Sequence, residues 1–217
     1  MFAEKKGPDI QSDLILALFQ RGQHRTRILK MFRNHLHMFS VEYVIIPEEI
    51  SPKEIEMENY ISGQLALHFN EKAPETGYLL NCQADGPDIV IYQKGGGLHK
   101  PVFFIEAKRL PPTSSKEYVK GKTGGIERFK KEKHCKDDNV AGMLGYVQEH
   151  NFDYWYEQVN SWITELISDP AQSPRWEDQD KLIKTYVGDI GEYQSIHSRL
   201  QKNPIILHHF WINLYKN

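Results

Sequence analysis

Two acids and a lysine stand where they could act together. Asp88 lies in Gly86-Pro87-Asp88-Ile89-Val90-Ile91-Tyr92, and Glu106 and Lys108 lie in Val102-Phe103-Phe104-Ile105-Glu106-Ala107-Lys108-Arg109. Side chains alternate along an extended strand, so Glu106 and Lys108 point the same way. Asp88 and Glu106 are each nine residues from Gly97. If the chain turns there, the acids fall opposite one another and three charged groups share one end of one sheet face. Their neighbours are Ile, Val and Phe, which demand burial, and a charge in such surroundings is costly unless paired or bound to metal. Two carboxylates offer hard oxygens to Mg²⁺, with the backbone carbonyl of Ala107 as a further donor. Such a metal would polarise a phosphate and acidify an attacking water. Lys108 would orient that water, or act as base if its pKa were depressed. The competing reading is an internal ion pair, Lys108 neutralising Glu106, and an acid-x-Lys triplet by itself is common.

The elements that must position these groups are legible in the pattern. Asp13 to Phe39 reads as helix, broken near Gly22, with Leu14, Leu18, Ile28, Leu29, Phe32, Leu36 and Phe39 at helical spacing. Its polar face carries Arg21, Arg25, Arg27, Lys30 and Arg33, either a solvated surface or a DNA-backbone contact. Val41 to Ile46 is a short β-branched run. Ser51-Pro52-Lys53-Glu54 starts a second helix that runs to about Phe69, with Met57, Ile61, Leu65 and His68 on one face. Strands are expected at Gly77 to Gln83, Asp88 to Tyr92 and Pro101 to Lys108, with turns at 84–87 and 95–97. A helix from Ile126 to about His134, a buried strand from Val140 to Val147 and an amphipathic helix from Phe152 to Ile167 follow. Residues 168–181 read as a surface loop, and Ile205 to Tyr215 as a last strand. The predicted class is α/β: a central mixed β-sheet flanked by helices, with residues 1–50 as an N-terminal helical extension on a 51–217 core.

Composition narrows the options. A chain of 217 residues with 40% apolar content can build one sizeable core. The net charge of −2 argues against a purely electrostatic nucleic-acid binder, though not against an enzyme that gathers its basic residues locally. Cys82 and Cys135, without a CxxC, support neither a disulfide framework nor a cysteine zinc site. No apolar run approaches the ~20 residues that span a bilayer, and the first residues lack the pattern of a signal peptide. A cytoplasmic location is the expectation.

Pro87-Asp88 followed by Glu106-Ala107-Lys108, on a hairpin preceded by a helix and followed by a helix and a strand, resembles the PD-(D/E)XK nucleases, the restriction endonuclease-like superfamily. The resemblance covers roughly Ser51 to Ile167. It implies the restriction endonuclease-like core of helix, three-strand meander, helix and strand, with extra N-terminal helices. It implies a Mg²⁺-dependent nuclease, Mn²⁺ able to substitute, that hydrolyses DNA phosphodiester bonds in bacterial restriction, phage defence or repair. Members often place a further acid on the helix before the meander. Glu58 is the best match to that position, with Glu54, Glu56 and Glu71 as rivals. The alternative function is a catalytically silent nuclease-like protein serving as an interaction module. With no visible recognition domain, specificity would call for a homodimer or a partner chain.

Lys116 to Lys136 is the most basic stretch. Gly124-Gly125 leads into its helix, where free amides could approach a phosphate. Arg128 and Lys131, or Lys130 and His134, share helix faces that could track a DNA backbone, with Lys122 nearby. The bland alternative is a lysine-rich solvated helix. Lys120-Gly121-Lys122-Thr123 is not a phosphate loop, because position 116 is Lys116 where a glycine is required. His208 and His209 are adjacent on a strand, so they face opposite ways and make poor joint ligands. Trp155, Trp162, Trp176 and Trp211 are read as packing residues.

Overall fold

The computed structural model describes residues 10–42, 54–83, 85–95, 99–111 and 116–214, with side chains described from residue 22 in the first helix and from residue 58 in the second. Residues 43–46 of the β-branched run, whose Val41 and Glu42 belong to the first helix, the helix start at Ser51-Pro52, the glycines at 96–97, and the side chains of Leu14, Leu18, Arg21, Glu54, Glu56 and Met57 lie outside that set.

Among the described residues the chain forms four α-helices and seven strands: α1 (Ile10–Glu42), α2 (Glu54–Lys72), β1 (Tyr78–Cys82), β2 (Ile89–Gln93), β3 (Lys100–Leu110), α3 (Gly125–Lys130), β4 (Val140–Val147), α4 (Phe152–Ser168), β5 (Ile183–Val187), β6 (Ile190–His197) and β7 (Ile205–Asn213). The strands make one open mixed sheet in the order β1-β2-β3-β4-β7-β6-β5. The β1-β2-β3 meander is antiparallel, β3-β4-β7 is parallel, and β7-β6-β5 is antiparallel again. The fold is α/β, as expected. No helix among the described residues is long and apolar enough to cross a membrane.

One sheet face is covered by α1 and α2. Ile28, Phe32, Leu36 and Phe39 of α1 join Ile61, Leu65 and Phe69 of α2 and the strand residues Ile89, Ile91, Phe103, Ile105, Ala107, Leu144 and Phe210 in one core. The N-terminal helix therefore supplies core, and it runs unbroken through Gly22. The opposite core holds Ile126 and Phe129 of α3, Trp155, Val159, Trp162 and Ile163 of α4, and Met143, Leu207 and Trp211 of the sheet. Asn151 caps α4 by accepting from the Tyr154 amide at 2.8 Å. The central strand β4 is paired in parallel on both sides and buried on both faces, which explains its continuous apolar reading.

Gly145 of β4 marks a close approach. A Cβ there would fall inside van der Waals contact with the Trp211 indole, which is fully buried and donates to Tyr118 Oη at 2.8 Å. The ring cannot swing away without breaking that bond, so Gly145→Ala is expected to destabilise by about 1–3 kcal/mol. Urea unfolding would measure it, and an unchanged midpoint would contradict the close contact.

The segment 183–197, left without assignment from the sequence, forms β5 and β6. Helix α3 ends at Lys130 rather than near His134: Glu132 and Cys135 adopt left-handed backbone (φ 57° and 53°). Tertiary bonds hold this exit. Glu132 Oε1 accepts from the Gln201 and Lys202 amides, and Arg199 Nη1 donates to the carbonyls of Cys135 and Asp138.

Candidate active site

The register of the hairpin follows from its apolar alternation. Ile89 pairs with Ile105, so the next position outward sets Asp88 against Glu106, as the sequence suggests. A register shift between Ile91 and Tyr92 is confined to the far end. Beyond Ile105, β3 has no β2 residue to pair with, although β4 still accompanies it to Leu110. The amides of Ala107 and Arg109 project from that open edge and need acceptors. Asp88 Oδ2 accepts from Ala107 N at 2.7 Å, and Glu58 Oε2 accepts from Arg109 N at 3.2 Å. Two carboxylates thus finish the edge that β2 leaves bare. By strand alternation the Ala107 carbonyl leaves on this edge too.

Lys108 stands at the centre. Its Nζ is 2.9 Å from Glu58 Oε1, 3.1 Å from Glu106 Oε1 and 3.7 Å from Asp88 Oδ2. Arg128 Nη1 of α3 reaches the same Glu106 Oε1 at 2.8 Å. With every carboxylate ionised, three acids against two cations leave one net negative charge. The Glu106 side chain is 0% exposed, whereas Asp88 and Glu58 are 18% and 19% exposed, so any ligand must approach from the Asp88 and Glu58 side.

Burial dominates the protonation of the acids. It pushes Glu106 up from 4.5 to about 7, more than Lys108 and Arg128 pull it down, with Asp88 adding to the rise. Glu58 is raised by the same cause. For Lys108 burial acts downward, but Glu106, Glu58 and Asp88 together outweigh it and raise its pKa. Lys108 is therefore a protonated donor here. Of the two roles expected for it, a protonated Lys108 in the metal-free site suits orientation.

The raised Glu106 pKa makes a testable contribution to stability. The native state holds this proton more tightly than the unfolded chain, so the contribution is full below about pH 4.5 and is lost as pH rises through about 7. The size is about 3 kcal/mol. In metal-free buffer, the stability of the wild type relative to Glu106→Gln should fall by about that much between pH 5 and pH 8. A pH-independent difference in urea unfolding would contradict the burial argument.

The donor chemistry suits a hard cation. Glu106 Oε2 is buried without a hydrogen-bond partner, 3.7 Å from His134 Nε2. A buried anionic oxygen short of donors is where a divalent ion would repay its desolvation. Among the described residues no three His, Cys, Asp or Glu side chains already form a metal cage. At this site Lys108 Nζ sits among the three carboxylates and would have to swing aside for an ion to enter.

Of the helix acids whose side chains are described, Glu58 is brought to Lys108, whereas Glu71 is exposed near the other end of α2. The basic segment is arranged differently from its reading. Lys130 is fully buried against Asp180 at 2.7 Å and cannot touch nucleic acid. His134, expected to share a face with it, instead faces Glu106, and burial together with Arg128 lowers its pKa to about 4. Arg128 is turned to Glu106, Lys131 pairs with Glu127 at 3.0 Å, and Lys122 is exposed. The amides of Gly124, Gly125 and Ile126 are taken by carbonyls of Gly121, Glu117 and Tyr118, so they are closed to phosphate. Gly125 serves close contact instead, since a Cβ there would collide with Met143. Trp155, Trp162, Trp176 and Trp211 are all buried, and His209 is enclosed while His208 is only partly so.

No family model, curated protein or solved structure matches this chain. The functional reading rests on geometry and on the motif.

Proposed function

We propose that the chain is a Mg²⁺-dependent nuclease of the PD-(D/E)XK kind, acting on DNA, with its centre at Asp88, Glu106 and Lys108. The observation that carries the reading is the convergence of Glu58, Asp88 and Glu106 on Lys108 at the open end of the hairpin. The order of α2, the meander, α3 and β4 supports a restriction endonuclease-like core.

Asp88, Glu106, the Ala107 carbonyl and Glu58 are the groups that would hold the ion. Bound Mg²⁺ supplies Lewis-acid polarisation of the phosphate and a more acidic attacking water. Lys108, kept protonated by three acids, donates hydrogen bonds to the attacking water or to a phosphate oxygen, and its positive charge opposes charge that develops there. Arg128 fixes the Glu106 carboxylate by holding one oxygen and leaving the other without a donor. Asp88, bonded to the Ala107 amide, locks the hairpin end in register.

The test is a substrate panel of supercoiled plasmid, linear duplex, single-stranded DNA and RNA, each with Mg²⁺, Mn²⁺ or chelator. Metal-dependent DNA cleavage is expected. Silence on every DNA with every divalent ion would overturn the reading. The complete enclosure of Glu106 favours the second reading, a nuclease-like interaction module in which Lys108 is a permanent counter-ion. Nucleic-acid or protein binding without cleavage would support it.

A further inference from the structure

Behind the sheet, seven buried side chains form one continuous polar chain that none of the site chemistry uses. Trp211 Nε1 donates to Tyr118 Oη at 2.8 Å. Tyr118 Oη is 2.9 Å from His209 Nδ1, and His209 Nε2 is 2.7 Å from Ser195 Oγ. Ser195 Oγ is 2.6 Å from His197 Nε2, and His197 Nδ1 is 2.5 Å from Asp180 Oδ1. Lys130 Nζ closes the chain on the same Asp180 oxygen at 2.7 Å, while Asp180 Oδ2 accepts from the Glu177 amide at 2.6 Å. Every one of these seven residues is at most 1% exposed.

Only one proton arrangement satisfies every link. With neutral rings the order is fixed from the acid end, because ionised Asp180 can only accept; at the other end the Tyr118 hydroxyl, which accepts from the indole, donates onward to His209 Nδ1. His209 then carries its proton on Nε2 and gives it to Ser195, whose hydroxyl donates to His197 Nε2. His197 carries its proton on Nδ1 and gives it to ionised Asp180, which Lys130 neutralises. All donors point one way, toward a buried ion pair. Burial holds both histidines below their ordinary pKa, which agrees with neutral rings, and although burial works against it, bonds from His197 and Lys130 hold Asp180 low.

An Asp-His-Ser sequence invites a nucleophile reading, and the structure rules it out. Ser195 is 1% exposed and its oxygen is already engaged by two histidines, so no substrate carbonyl can reach it.

We propose that this chain is a clamp on α3, and that Tyr118, Asp180, His197 and Lys130 are positioning residues that hold Arg128 on Glu106. A helix of six residues has little stability of its own and takes its orientation from what grips it. Beside the amide bonds of Gly125 to Glu117 and of Glu127 to Val119 and the core packing of Ile126 and Phe129, two grips on α3 belong to the chain. At the start, the Tyr118 carbonyl accepts from Ile126 N at 3.3 Å while its hydroxyl joins the relay. At the end, Lys130 is tied to Asp180 and lies 4.8 Å over the Trp176 ring. Arg128 lies between the two grips and bonds Glu106 Oε1 at 2.8 Å. The catalytic consequence rests on the nuclease reading, whereas the clamp does not.

Three measurements test it. Long-range ¹H–¹⁵N NMR at pH 7 should show His197 as the Nδ1–H tautomer and His209 as the Nε2–H tautomer. The opposite tautomer on either ring would overturn the relay. Tyr118→Phe breaks one link without changing charge, and Lys130→Met with Asp180→Asn removes the ion pair without stranding a charge. In both variants the Arg128 Nε–H resonance should shift and exchange faster with solvent, and an unchanged resonance in a folded variant would overturn the positioning role. In the wild-type background of metal-dependent cleavage, kcat should drop roughly tenfold or more in these variants, with KM within about twofold. A fall in melting temperature with kcat intact would mean a merely structural chain. The tautomer and Arg128 readouts remain decisive even if the wild type cleaves nothing.

Discussion

Lys108→Met is expected to bind divalent metal more tightly than the wild type and yet to cleave DNA about 10²–10⁴-fold more slowly. The two effects have one cause. Lys108 Nζ stands among Glu58, Glu106 and Asp88, where it competes with any incoming cation. Removing it leaves three carboxylates facing one another, which costs about 3–5 kcal/mol in chelator because buried anions lose their partner. A divalent ion restores the balance, so the variant should unfold early in chelator and recover most of its stability with Mg²⁺. Cleavage stays low because the donor that faces water or phosphate is gone. Isothermal calorimetry, urea unfolding with and without Mg²⁺, and plasmid cleavage read the three parts. If Lys108 is only a structural counter-ion, the variant loses stability with no gain in metal affinity.

Glu106→Gln should abolish metal-dependent cleavage, by about 10³-fold or more, since several kcal/mol of charge stabilisation disappears with one ligand. The amide keeps the size of the carboxylate and still offers Arg128 an acceptor. The metal-free fold should therefore survive and even gain at pH 8, where the buried anion is most costly. That combination, a more stable protein without activity, separates loss of function from loss of structure. Cleavage within a few-fold of wild type, in single-turnover assays on linear duplex, would remove Glu106 from the chemistry.

What the sequence reveals here depends on whether apolar residues mark the element. The hairpin was legible because Ile89, Ile91, Phe103 and Ile105 alternate into one core and leave Asp88 and Glu106 in register. Helix α4 was legible because Trp155, Val159, Trp162, Ile163 and Leu166 recur at helical spacing. Strand β6 was not, because its buried positions include Glu192, Ser195 and His197, satisfied by Arg33, His209 and Asp180 from distant parts of the chain. No local pattern reports such partners. Strand β5 is exposed at every position, so it carries no burial signal at all. Lys130 was misread for the same reason as β6: its partner Asp180 lies fifty residues away. Gly22 shows the opposite error, since a single glycine inside a helix costs only about 1 kcal/mol, and burial along α1 outweighs it.

The central claim is that Asp88 and Glu106 take up a divalent ion once Lys108 yields its place. Anomalous diffraction from crystals soaked in Mn²⁺ tests it directly. The account predicts a peak bonded to both carboxylates, with Lys108 Nζ displaced from Glu106. Crystals that take up Mn²⁺ elsewhere or not at all, with Lys108 still bonded to Glu106 and Glu58, would contradict it.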